Sequence, residues 1–509
     1  DLVRYLFGHR VDCAPLLLSL RDAALEPAAC VGEPPDPFAP ALRTPFSPID
    51  EAVHLLDSAV EPWSIHWEVR VAGRLDEDRL RLALEEALAR HPMARARRAA
   101  TSGSARRHEW EIPEEPDLDP LTVIECPDEA SLGTARERLA SLAVPLAESP
   151  PLRMLLAHHP AGDAVVLNLS HVVSDTMGGL RLLRSIARAY SGNPDRLPHL
   201  DPLAARDVPP APVAGELPPR RAWMRLLLDK ARDLVAVPAR VAPDRGADRP
   251  GYGIHQVALG ATETERLLRH RGSKGVRDVL LGALHLSIAL WNIEHGVRCG
   301  RISVLTPVNL RSDDWREEVV GNFSLLTRVA TTPEQRSLAK VVPAVADQTR
   351  RLGDEKTLAV LTELVGRTAS LPNWAKGALP ALLATTGNRL VDTAALSYIH
   401  SVEEPLSFGP DGGEAVELWF SLPARMPLGL SVGAVVAAGQ LHLAFRYRHA
   451  LFGKEAACRF ADHFVSLLAH LLDDPADSQP APIDMPPNVT TSGPGKEQSA
   501  GATARRGYS

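Results

Sequence analysis

The chain has 509 residues, 45 % of them hydrophobic, and carries 56 Lys and Arg against 63 Asp and Glu, a net charge of -7. That length exceeds what one core usually organises, so two lobes are expected, and basic residues scattered among acids offer no stripe for nucleic acid. The cysteines Cys13, Cys30, Cys126, Cys299 and Cys458 are far apart and odd in number, which argues for a reducing compartment and against a thiolate metal site. No uninterrupted apolar run approaches the ~20 residues of an integral membrane segment, and the N-terminus lacks the order of a signal peptide, so a cytoplasmic location is expected.

In chain order, residues 1–44 read as an irregular lead-in, because the prolines of "VGEPPDPFAPALRTPFSP" interrupt regular structure. A first lobe over 45–205 follows. "IHWEVRVAG" alternates like a strand, and "LDEDRLRLALEEALARHP" places Leu80, Leu84, Ala87 and Leu88 on one helical face before Pro92. "LTVIECP" reads as a strand and "ASLGTARERLASLA" as a helix. "LRMLLAHH" and "AVVLNLS" read as two strands joined by the tight turn "PAGD". Residues 206–250 form a proline-rich connector around the amphipathic "RRAWMRLLLDKARDLV".

A second lobe spans 251–473. It contains the largely buried helix "VRDVLLGALHLSIALWNI", strands "RISVLTPVNL" and "NFSLLTRVAT", and a helix-rich run over 333–390. Two strands in "LGLSVGAVVAAGQLHLAFRYRHALF" share a glycine-containing turn. A final helix carries Phe460, Phe464, Leu467, Leu468 and Leu471 as one stripe. The tail, 474–509, lacks the apolar content to fold.

The chemistry centres on "VVLNLSHVVSDTMGGLRLL", where His171 stands at the break between a buried strand and a helix, four residues before Asp175. Histidine is the side chain best suited to take a proton near neutral pH, provided its ring is fixed. His158 and His159 before Asp163 repeat the spacing, but Pro160, Ala161 and Gly162 read as a hairpin turn, which predicts that these two lie at a strand end near solvent. Nothing in the sequence matches a nucleophile elbow, a phosphate-binding loop, a dinucleotide fingerprint or a zinc-protease helix. No metal and no tightly bound cofactor is expected.

The ordered set "LDEDRLRLALEEALARHPMARAR", "PPLRMLL", "LSHVVSDTMGGLRLLRSIARAYSG", "GVRDVLLGAL", "TPVNLRS" and "VGNFSLL" resembles the condensation-domain, HHxxxDG acyltransferase superfamily, nearest the wax ester synthase and mycobacterial polyketide-associated branches. The resemblance covers about residues 45–475. It implies an α/β fold of two chloramphenicol-acetyltransferase-like lobes set in a V, with a tunnel between them. A thioester on coenzyme A or on a carrier protein's phosphopantetheine would serve as co-substrate, and a small-molecule hydroxyl or amine as acceptor, in natural-product or lipid biosynthesis. His171 matches the motif's second histidine, the general base. Asp175 matches the motif aspartate, and Arg311 its ion-pair partner from the other lobe.

Ser170 replaces the first motif histidine, and Thr176 stands where the motif has glycine. Gly178 and Gly179 retain some of that conformational slack. Arg277 and Asp278 replace an Asn-Asp pair, and Ser397 and Tyr398 a Ser-Asn pair. Ser170, Thr176, Gly178, Asn322 and Ser397 are the expected tunnel positions, with His400 as a further candidate. Two other readings fit the departures: a degenerate protein that binds a carrier protein or acyl thioester without turnover, or a condensation or cyclisation enzyme of a peptide or polyketide assembly line.

Overall fold

The computed structural model describes residues 42–472, apart from 59–60, 196–200, 208–236, 247–249, 270–274, 313–314, 316, 386–390, 401 and 403. The tail, the amphipathic piece of the connector and the lead-in up to residue 41 therefore lie outside the described residues.

The N-terminal half begins with β1 (Leu42–Pro45) and α1 (Pro48–His54), so regular structure starts three residues inside the expected lead-in. Ser47 caps α1, accepting from Asp50 N while the Asp50 carboxylate accepts from Ser47 N, and Pro48 occupies the first helical position. β2 (Ser64–Val71), α2 (Glu77–Arg90), β3 (Arg97–Arg98), β4 (Glu109–Ile112) and β5 (Leu121–Glu125) follow. Next come α3 (Glu129–Ser141), β6 (Leu152–His158), β7 (Ala164–Ser170) and α4 (Thr176–Ser191). On one face of the sheet, Ile65, Trp67 and Val69 of β2 and Leu167 and Leu169 of β7 pack with Leu80, Leu84 and Leu88 of α2 and Leu183 and Ile186 of α4. On the other, Val166 meets Leu132 and Leu139 of α3. Alternation along β7 thus serves two layers at once.

The C-terminal half runs β8 (Tyr252–Leu259), α5 (Ala261–Arg269), α6 (Gly275–Glu294), β9 (Ile302–Asn309), β10 (Ser324–Thr331), α7 (Leu338–Leu352), α8 (Glu355–Ala369) and α9 (Asn373–Thr385). It closes with β11 (Ala394–Ile399), β12 (Ala415–Ser421), β13 (Leu430–Ala437), β14 (Gln440–Arg448) and α10 (Lys454–Leu472). Its six-stranded sheet has the order β10-β9-β11-β13-β14-β8, with β11 parallel to both neighbours and the other pairs antiparallel. α6 is long and apolar enough to cross a bilayer by composition, but 83 % of that apolar window is buried against the sheet, α7 and α10, as in a core helix.

The halves are not divided in chain order. β12, from the segment expected in the second lobe, pairs antiparallel with β2 and forms the edge of the five-stranded N-terminal sheet β12-β2-β7-β6-β5. Its backbone passes so close to β13 that a Cβ on Gly433 would lie 2.0 Å from the Phe420 carbonyl oxygen. The seam between lobes is also held by Arg446, which donates to the carbonyls of Ser64 (2.9 Å) and Ala140 (2.7 Å) while stacking over Tyr252 at 4.2 Å. A sheet in each half, covered by helices, gives the two-lobed α/β architecture that the resemblance implies.

Candidate functional site

β7 ends at Ser170, and the chain turns through 171–175 before entering α4. Asp175 is the helix N-cap, its carboxylate accepting from Gly178 N at 3.0 Å, and Gly192, left-handed at φ 72°, closes the helix. The cap does more than start a helix. Asp175 Oδ2 also accepts from Arg311 Nη1 (2.5 Å), Phe323 N (2.8 Å) and Ser324 Oγ (3.1 Å), all from the C-terminal half. Both side chains of the ion pair are 0 % exposed. Arg311 spends its other arm on the carbonyls of Gly321 (2.9 Å) and Val319 (3.2 Å), and its guanidinium lies 4.4 Å over the Phe323 ring.

The loop backbone is gripped from both lobes. His171 N donates to the Trp63 carbonyl at the head of β2 (3.0 Å), whereas the His171 carbonyl accepts from Asn322 Nδ2 (2.7 Å). Asp175 N donates to the Gly321 carbonyl (3.1 Å). Gly178 permits this approach: a Cβ there would lie 2.2 Å from Ser174 Oγ and 3.0 Å from the backbone N and O of Gly321.

His171 itself is 4 % exposed. Burial lowers its pKa below the ordinary histidine value; the Asp175 carboxylate and the nearby carbonyls of His171 and Ser174 oppose that shift without reversing it. The ring is therefore neutral at pH 7 and able to accept a proton. Nδ1 is sealed from solvent with no well-aligned partner among the described residues. Burial would raise the Asp175 carboxyl, but Arg311 and the backbone donors Gly178 N and Phe323 N outweigh it and hold the group ionised.

The other expected positions divide. Asn322 and Gly178 belong to the cluster just described. Thr176 is the first residue of α4, and its carbonyl accepts from Trp67 Nε1 (3.2 Å). Ser170 faces Ser64 across the β2–β7 ladder, and its Oγ accepts from Val172 N (3.4 Å). Ser397, buried on β11, shares a sheet face with Ala395 and Ile399, which pack into the N-terminal core, so it looks toward the seam. Tyr398 looks the opposite way and, with His400, Arg277 and Asp278, lines an open cavity of about 350 Å³ at the start of α6.

The second His–Asp spacing, at His158, His159 and Asp163, corrects one expectation. His158 and His159 do not face solvent: His158 is 7 % exposed, its Nδ1 lies 2.8 Å from Asp163 Oδ2, and the same carboxylate oxygen accepts from Leu75 N. The turn is present, with Gly162 at φ +107°, but the hairpin folds back against residues 71–75, where Asp163 bonds both Leu75 N and His158, while the His159 ring lies against Arg70 (3.4 Å) and Glu129 (3.6 Å). Among the described residues, no group of three or more His, Cys, Asp or Glu side chains is placed to hold a metal.

No protein-family model matches the chain. The uncharacterized protein Rv2305 of Mycobacterium tuberculosis (strain ATCC 25618 / H37Rv) is 34 % identical over 424 residues, spanning 81 % of this chain and 96 % of that protein. The chain belongs to the Rv2305 family. Its fold is that of condensation domains. The first condensation domain of the calcium-dependent antibiotic synthetase, solved with a substrate analogue, superposes with a TM-score of 0.62 at 16 % identity, covering 86 % of this chain and 99 % of that one. The EpoB cyclization-docking bidomain from Sorangium cellulosum gives 0.60 at 17 %, covering 93 % and 92 %. The starter condensation domain of rhizomide synthetase, in complex with C8-CoA, gives 0.58 at 15 %, covering 85 % and 95 %.

In this member of the Rv2305 family, sequence reasoning missed the roles of Phe323, whose N–H and ring serve Asp175 and Arg311 respectively, and of Ser324 and Gly321. The stretch "VGNFSLL" is visible in the sequence, but the Phe323 N–H and the Gly321 carbonyl are backbone groups with no side-chain signature, and nothing local ties the Ser324 hydroxyl or the Phe323 ring to a pair 136 residues apart in the chain.

Proposed function

We propose that this protein is an acyltransferase in which His171 is the general base. An acceptor hydroxyl or amine gives its proton to the imidazole as its oxygen or nitrogen bonds to the carbonyl carbon of an acyl thioester. The tetrahedral intermediate then collapses, the C–S bond breaks, and the proton passes from His171 to the departing thiolate of coenzyme A or phosphopantetheine. Asp175 and Arg311 are positioning residues that fix the loop rather than touch the substrate. The observation carrying this reading is the Asp175–Arg311 pair, which joins the two lobes directly behind a neutral, buried histidine.

The test is a panel of acyl-CoA and acyl-carrier donors with varied hydroxyl and amine acceptors, following thiol release and product mass. His171→Ala is expected to remove acceptor-dependent thiol release while unfolding like the wild type. Turnover by His171→Ala at the wild-type rate would sink the assignment. Thioester binding with no product from any acceptor would instead favour a binding protein, the reading to which Ser170 and Thr176 lend weight.

A further inference from the structure

The first turns of α9 are built inside out. Its one charged residue among the described side chains, Lys376, is 1 % exposed, and its ammonium lies 2.7 Å from Glu51 and 3.0 Å from the Arg106 carbonyl. The outward positions are apolar or small: Leu371, just before the helix, is 39 % exposed, Trp374 is 70 % exposed, and Gly377 and Ala378 follow one turn on. Trp374 is the most exposed large hydrophobic side chain among the described residues. A helix in water normally shows the reverse arrangement.

The surroundings of Trp374 indicate what covers it. Trp374 N donates to the Gly103 carbonyl (3.1 Å) and Asn373 N to the Ala105 carbonyl (2.9 Å), so the 102–107 loop is bonded to the first turn of the helix. That loop carries Arg106 and Arg107, both exposed and neither paired with a carboxylate among the described residues. An exposed indole and leucine at a helix start bonded to a loop that carries two exposed arginines suit the headgroup level of an anionic bilayer, where rings sink to the acyl boundary and arginines meet phosphates. A stable protein partner would need about 20–30 residues on each side, far more than this patch.

We propose that the Trp374 end of α9, with Arg106 and Arg107, docks the protein reversibly on an anionic lipid surface. Because the chain as a whole carries -7, the attraction is local and weakens with salt.

The test is flotation of the full chain with phosphatidylcholine vesicles and with vesicles of phosphatidylcholine mixed with phosphatidylglycerol. Binding to the mixed vesicles, reduced by salt, is expected. Arg106→Glu/Arg107→Glu should weaken it about 25-fold or more, at about fivefold per basic residue, and Trp374→Ser about tenfold. Leu82→Ser, at a 65 % exposed position elsewhere on the molecule, should change nothing. These are surface substitutions, and an unchanged unfolding midpoint shows that each variant is folded. Absence of flotation with either vesicle, or flotation indifferent to Trp374→Ser, would overturn the proposal. So would a solution dimer that Trp374→Ser dissociates, which would assign the face to a second copy.

Discussion

Arg311→Ala tests the frame of the site most directly. The substitution removes the only cation bonded to the Asp175 carboxylate among the described residues and leaves that carboxylate in a place with no access to water. Removing one partner of a buried pair costs about 3–5 kcal/mol. Gly178 N, Phe323 N and Ser324 Oγ still bond the carboxylate, which favours the lower end of that range. The carbonyls of Gly321 and Val319 lose a donor as well, adding about 1 kcal/mol each. A loss of about 4–5 kcal/mol is expected, read as a lowered urea midpoint, together with a large fall in thiol release. Asp175→Asn/Arg311→Met separates the pair from its surroundings: a coupling energy of about 2–3 kcal/mol is expected from the cycle. An Arg311→Ala protein with the wild-type midpoint and turnover would refute the reasoning. The sign with pH is fixed too. The Asp175 pKa is lowered by folding, so its contribution is full above the unfolded carboxyl value and is lost as pH falls through the folded one; Arg311→Ala should flatten that acid limb.

Since His171 must be neutral to act and its pKa lies below the ordinary 6.5, kcat/KM should fall only as pH drops through a value under 6.5 and stay level above it; an acid limb at or above 6.5 would contradict this. Gly178→Ala should destabilise the protein by about 1–3 kcal/mol and slow turnover, because its Cβ meets Ser174 and the Gly321 backbone; urea unfolding and thiol release measure both. Asn322→Ala should lower turnover about tenfold while shifting the urea midpoint by only about 1 kcal/mol, since it frees the His171 carbonyl without opening the ion pair.

What was legible in the sequence was local. The apolar run of "AVVLNLS" and the amphipathic stretch after Asp175 suffice to place a buried strand, a break at His171 and a helix, which are β7 and α4. Arg311 is 136 residues from Asp175, and no periodicity links them; only likeness to a known family put them side by side. β12 shows the same limit. "AVELWFS" is rich in strand formers, yet nothing within it says that its partner is β2, more than 300 residues earlier. His158 was misplaced for a related reason: its burial depends on where the hairpin lands, which the turn residues do not encode.

The excursion of β12 into the first sheet bears on how the gene can be cut. A fragment ending in the connector would expose the β2 edge, with Trp67 and Val69 along it, as an unpaired and sticky border. Its complement would carry a lone strand with no sheet to join. Separately expressed pieces should therefore precipitate alone and recover together, a split-protein pair whose reassembly reports on the exchange itself.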